Sequence, residues 1–232
     1  MIVHLALIAS LARPAACVHD LDTARPRVTV AEQAETVRII RGAVAELGGS
    51  KDFAAFLVLV AARESSLQRG LVHRLPQDLM GSAAAWRHTR ALYEGNPWQG
   101  DAERWQTYGL FGMNSNYFTQ VWDTQADPLV LCDAVIDVLV YQRAAARVAA
   151  KLRRSGACAP SWANIHAAVS GGKLCPPPAM QDRFRRRAAR AGIDPDREVT
   201  AADLGRGPNR AGQEAVRLRL QAAVNKRAGP AS

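Results

Sequence analysis

Apolar residues recur along most of this chain at the three- and four-residue spacing of a helix, not in strand-like alternation. In AEQAETVRIIRGAVAEL, residues 31 to 47, Val37, Ile40, Val44 and Leu47 share one stripe, and Gly48-Gly49 follows as a stop signal. SKDFAAFLVLVAARESS restarts the pattern at a Ser50 cap, with Phe53, Phe56, Leu57 and Val60 on the apolar face. From 69 to 106 the period dissolves into Pro, Gly, Trp and mixed charge, as in loops over a surface, apart from a short helical piece near SAAAWRHTRALYEG. TYGLFGMNSNYF, 107 to 118, suits a tight hairpin or extended turn. A long helix opens at an Asp127 cap with Pro128 in its first position and runs to about Leu152, with Leu129, Cys132, Ile136, Leu139 and Arg143 on one face. A short helix from Ser161 to Val169 stops at Gly171-Gly172, and a basic helix spans about Ala179 to Ala191. The last forty residues read as a loop, an amphipathic helix near 212 to 226 and a frayed tail. The pattern predicts a mainly α protein without repeats or a clear interdomain linker.

Composition adds compartment and partner. At 232 residues and 48% hydrophobic content the chain can fill one core. Its first sixteen residues hold a short apolar run, Ile2 to Ala12, followed by small residues, which resembles a secretory signal peptide cleaved after Ala12 or Ala16. No segment is long and uncharged enough to span a bilayer, so export to the periplasm or cell envelope is expected without an integral membrane segment. Thirty Lys and Arg against 21 Asp and Glu leave a net charge of +9, which favours an anionic partner. Much of that excess lies in RFRRRAAR, 183 to 190, and RLRLQAAVNKR, 217 to 227, which read as solvated helix faces, so a nucleic-acid partner is not expected. The four cysteines, Cys17, Cys132, Cys158 and Cys175, fit an exported protein and allow three pairings. Cys158 and Cys175, which bracket a small segment, are the preferred pair. No Cys-x-x-Cys or His-x-x-x-His spacing suggests zinc, and no cofactor is expected.

Charge is expensive at the end of an apolar helix face, and VLVAARESS places it there. Glu64 lies four residues after Val60 and seven after Leu57, on the core-facing stripe at the last turn. A carboxylate held partly out of water has a raised pKa, and an acid protonated near neutrality is what glycosidic cleavage requires. The alternative at this point is a Glu that reaches solvent at a frayed end, paired with Arg63 or Arg69.

Taken together, ARESS, YGLFGMN, DPLVLCDAVIDVLVYQ and AAVSGG stand in the order and rough spacing of a known family. Over about residues 35 to 175 the chain resembles the soluble lytic transglycosylases of the lysozyme-like superfamily. Their pattern is a catalytic Glu and a Ser at a helix end, then Gly-Leu-Met-Gln, a long helix, and Ala-Tyr-Asn-x-Gly. Glu64, Ser65, Gly109 and Leu110 match; Phe111 replaces the Met and Gly112 the sugar-contacting Gln. Val169 and Ser170 replace the Tyr and Asn, while Ala167, Ala168 and Gly172 keep register. The resemblance implies a lysozyme-like fold, a helical bundle around a catalytic helix with a small β-hairpin flap. The catalytic domain would span 28–192 and a helical extension and tail 193–232. It further implies that Ser65, Gly109, Leu110, Phe111, Met113, Asn114 and Val169 meet the glycan strand of peptidoglycan, with the backbone from Met113 to Ser115 receiving acetamido groups; of the aromatic residues crowded around the hairpin, whose flat rings suit sugar faces, Tyr108 and Tyr117 are expected to reach the cleft.

In that family one Glu protonates the leaving oxygen and then deprotonates the muramic 6-hydroxyl, which closes an anhydro ring. Glu64 without an obvious partner fits this chemistry better than hydrolysis, which needs a second carboxylate. Thr107 stands where animal lysozymes carry an Asp before their Tyr-Gly pair. Two readings stay open beside it. Asp101 or Glu103 would position a water in a muramidase, and loss of activity would leave a non-catalytic wall-binding envelope protein.

Overall fold

Thr29 starts the first helix with a reciprocal cap: its hydroxyl accepts from the Glu32 amide while the Glu32 carboxylate accepts from the Thr29 amide. The helix, α1, runs from Val30 to Glu46. Residues 19–20, 28–69, 71–73, 107–114 and 134–207 are described by the structure, a computed structural model. The expected signal segment, the short helix near 82–95, the start of the long helix at Asp127 and the helix near 212–226 lie outside those residues.

Within α1 the buried stripe is Thr36, Ile39, Ile40, Ala43 and Val44, and Leu47 follows at its end. Val37, expected inside, is only half-buried, because the stripe is centred one step round the helix from it. Ser50 then caps α2, Lys51–Glu64, by accepting from the Phe53 amide. The long helix α3, described over Ala134–Ser155, departs from its one-faced reading. Every residue from Ala134 to Gln142 is buried, since AVIDVLVYQ is apolar nearly all round, and α3 is the central helix. Helix α4, Trp162–Gly171, packs onto it, and α5, Pro178–Arg190, packs onto α4 and α2, with Gly172 closing α4 in the left-handed conformation at φ 64°. A further helix, α6, Ala201–Leu204, carries the same capping pattern as α1, through Thr200 and Asp203.

Trp162, Tyr141, Phe53, Phe56 and Phe111 are the largest fully buried side chains among the described residues. Phe56 lies at their centre, 4.7 Å from the Trp162 ring and 5.8 Å from Tyr141. Fully burying a side chain of this kind contributes about 1.5–3 kcal/mol each, so α2, α3 and α4 are held chiefly through this cluster. Ile193, Val199 and Leu204 enter the same core. Residues 193–207 are also tied to it by hydrogen bonds: the Ser50 amide donates to Asp203, and Gln142 Nε2 donates to the carbonyls of Leu204 and Gly205.

The described strands are short. His19–Asp20 (β1) pairs in parallel with Leu71–His73 (β2), which pairs antiparallel with Thr107–Tyr108 (β3), and this in turn with Met113–Asn114 (β4). The chain is thus mainly helical, and no helix among the described residues is long and apolar enough to cross a membrane.

Candidate functional site

Glu64 is the last residue of α2, and the chain turns sharply after it. The Ser65 amide, the Ser65 hydroxyl and the Leu67 amide all converge on the Ala61 carbonyl, at 3.0, 3.0 and 3.2 Å. Ser65 therefore spends its proton on the helix end, not on the Glu64 carboxylate. Ser66 and Leu67 follow at φ 55° and 64°, a left-handed conformation that costs a side-chain-bearing residue about 1 kcal/mol or more. Two such residues in succession directly after a half-buried carboxylate are the kind of local strain that concentrates at functional sites.

The turn between β3 and β4 approaches Glu64 from a separate part of the chain. A Cβ built on Gly112 would sit 3.6 Å from Glu64 Cβ and 3.7 Å from Oε2, so the bare backbone of this residue faces the carboxyl group. Asp137, buried on α3, anchors the turn: its Oδ2 accepts from the Leu110 amide at 3.0 Å. Gly109 is required beside it, because its φ is 72° and a Cβ there would lie 2.5 Å from Asp137 Oδ1. Leu110, Phe111 and Met113 are buried in the core, backbone included, with Phe111 edge-on to Tyr141 at 5.2 Å, so the three expected substrate contacts are packing residues that support the turn. Tyr108 and Asn114 contribute their backbones to the β3–β4 ladder. Val169 is buried on α4. Tyr117, Asp101 and Glu103 lie outside the described residues.

Burial pushes the Glu64 carboxyl above the usual carboxylate range, and the neighbouring Arg63 charge opposes this only in part. Glu64 Oε1 is enclosed, with Arg63 Nε 3.3 Å away in an ion-pair contact that lacks hydrogen-bond alignment. The other end of the guanidinium, Nη1, lies 2.9 Å from His166 Nε2. His166 is buried on α4, stacked on Phe184 of α5 at 4.4 Å between centroids, with Nδ1 3.2 Å from Ser170 Oγ. Desolvation, helped by the Arg63 charge, holds its pKa down at about 3, so the ring is neutral at physiological pH. From the sequence Arg63 is expected only as an incidental partner for Glu64, and no role is expected for Asp137 or His166. The sequence places His166 on the apolar stripe of α4, four residues before Ser170, but nothing local marks its pairing with Arg63.

The Cys158 and Cys175 sulfurs are bonded, with Cα atoms 5.8 Å apart, so the disulfide closes over α4 and fixes the helix that carries His166. No group of three or more His, Cys, Asp and Glu side chains gathers as a metal site among the described residues. What the arrangement offers chemically is one desolvated carboxylic acid with a cation beside it and the side-chain-free backbone of Gly112 facing it. None of the protein-family models, curated proteins or solved structures compared with the chain matches it.

Proposed function

We propose that the protein cleaves the glycan strands of peptidoglycan in the cell envelope as a lytic transglycosylase, with Glu64 acting first as acid and then as base. The observation that carries this reading is the desolvated Glu64 carboxyl at the end of a core helix, facing the bare backbone of Gly112. The protonated acid delivers its proton to the glycosidic oxygen as the bond from the anomeric carbon breaks. The carboxylate so formed takes the proton of the muramic 6-hydroxyl, whose oxygen attacks the anomeric carbon and closes the 1,6-anhydro ring. One proton passes from one sugar oxygen to another, no water is consumed, and no second carboxylate is needed. Arg63, 3.3 Å from Oε1, offsets the charge that appears between the two steps. In this reading the helices packed around α2 form a lysozyme-like domain, and the β3–β4 turn is its flap, lying over the acid.

A second reading is favoured by Val169. Where the family pattern has a Tyr, this side chain is apolar and buried, so it has no hydroxyl to orient an acid, and a wall-binding protein without turnover would tolerate the exchange. Mass spectrometry of muropeptides released from purified peptidoglycan separates the readings. Anhydro-muramic ends that fall by about 10²–10⁴-fold in Glu64→Gln are the expected result, the range for loss of a general acid–base group. Reducing ends would mean hydrolysis and direct attention to Asp101 and Glu103. Binding to sacculi with nothing released by either protein would establish the second reading.

A further inference from the structure

Adjacent residues on a helix do not face one another, since successive side chains diverge by about 100°. Arg63 nevertheless brings its Nε to within 3.3 Å of Glu64 Oε1, and its side chain is 42% exposed, so solvent competes for it. Something must hold the guanidinium back over its neighbour. The groups that do so come from α4. Nη1 donates to His166 Nε2 at 2.9 Å, and since a guanidinium has no acceptor and stays protonated, Nε2 has to be the unprotonated ring nitrogen. The ring proton is therefore on Nδ1 and is donated to Ser170 Oγ at 3.2 Å. Stacking on Phe184 and burial fix the plane of the ring.

The geometry points to a positioning relay, Ser170 to His166 to Arg63, that holds the guanidinium against the Glu64 carboxyl and so sets that group's orientation and charge. It rests on the reading of Glu64 as the acid, and it supplies a substitute for an orienting hydroxyl at Val169. None of its three members touches the reacting atoms; they are positioning residues that act through Glu64. The relay joins the end of α2 to the last two turns of α4, so an acid on one helix takes its setting from another.

The test is the titration of the Glu64 side-chain carboxyl, followed by carbon-13 NMR in the full mature protein, in wild type and three variants. In Arg63→Gln the titration moves to higher pH because the nearby cation is gone. His166→Phe keeps the aromatic packing on Phe184 but offers no acceptor, and it should move the Glu64 titration in the same direction as Arg63→Gln. His166→Gln, whose amide oxygen can accept from Arg63, should restore the wild-type titration, a rescue that a purely structural role would not produce. Release of anhydro-muramic ends should fall about tenfold to a hundredfold in Arg63→Gln and His166→Phe, the scale of a misplaced catalytic group. A His166→Phe protein that is folded by circular dichroism but titrates Glu64 as wild type does would overturn the relay. Titrations that shift as expected in a protein that cleaves no glycan would support the relay and remove only the proposed function.

Discussion

A carboxyl group that must give a proton and then take one back works best when its pKa lies near the working pH. Burial moves Glu64 in that direction from the ordinary carboxylate value, and Arg63 limits the movement. In the proposed reaction the acid form of Glu64 acts first, so release of anhydro-muramic ends should decline as pH rises through the Glu64 pKa. In Arg63→Gln that descending limb should lie at higher pH; a pH–rate series on purified sacculi measures both limbs. The turn that follows makes a separate prediction. Ser66 is exposed and held at φ 55°, where glycine carries no steric penalty. Ser66→Gly should leave the melting temperature unchanged or raise stability by up to about 1 kcal/mol, relief of left-handed strain being offset by the freer unfolded chain. Scanning calorimetry at constant pH checks it. The placement of Glu64 was legible in the sequence because it depends on a local period: Leu57, Val60 and Glu64 lie on one stripe whatever the rest of the chain does. His166 was not legible, because its partner Arg63 is 103 residues away and no local pattern pairs them. Asp137 was hidden for the same reason, its hydrogen bond to Leu110 spanning 27 residues.

Among the elements, those with their own start and stop signals were the readable ones. Ser50 and Ser161 each cap the helix that the sequence assigns to them, and Gly172 ends α4 where the Gly171-Gly172 pair suggested. Two capping signals set helix starts that apolar spacing does not reveal. Thr29-x-x-Glu32 sets the start of α1 at Val30, and Thr200-x-x-Asp203 makes a four-residue helix that apolar spacing is too short to reveal. The burial of α3 on every side was unreadable by face counting, since a helix with no polar face has no face to find. Helix α4 depends on something other than capping. Its short segment is enclosed by the Cys158–Cys175 bond, which closes a loop of 17 residues' separation. Chain-entropy reasoning gives such a loop about 3 kcal/mol of stabilisation. The double variant Cys158→Ser, Cys175→Ser should therefore lose about 2–4 kcal/mol, a fall in melting temperature of roughly 4–16 °C for a domain of this size. Thermal unfolding of the oxidised wild type beside the double variant measures it.

For the molecule as a whole, Asp203, His166 and Glu64 among the described residues shape how stability responds to acid, and they do not act in the same sense. Arg197 binds Asp203 at 3.0 Å and Asp52 at 3.0 Å, joining residues 193–207 to the start of α2. Asp203 is desolvated, yet its bonds from Arg197 and Thr200 hold its pKa down at about 2. Its stabilisation is thus complete above the ordinary value of 3.8 and is lost as pH falls through about 2. His166 acts at higher pH. The unfolded chain takes up a proton near 6.5 while the folded ring stays neutral down to about 3, so stability drains away across that interval. Glu64 runs the other way: its folded pKa is raised, and protonation on acidification relieves the cost of burying its charge. Between pH 6.5 and 3 the first loss expected on acidification is therefore that of His166, whose pKa is displaced downward by burial at the junction of α2, α4 and α5. His166→Gln replaces the ring with an amide that does not titrate. Its melting temperature should fall less than that of wild type between pH 6.5 and 3, and the two slopes should become parallel once both forms are compared above pH 7. Scanning calorimetry across that range measures the difference directly, and equal slopes throughout would show that the ring is not held neutral in the folded protein.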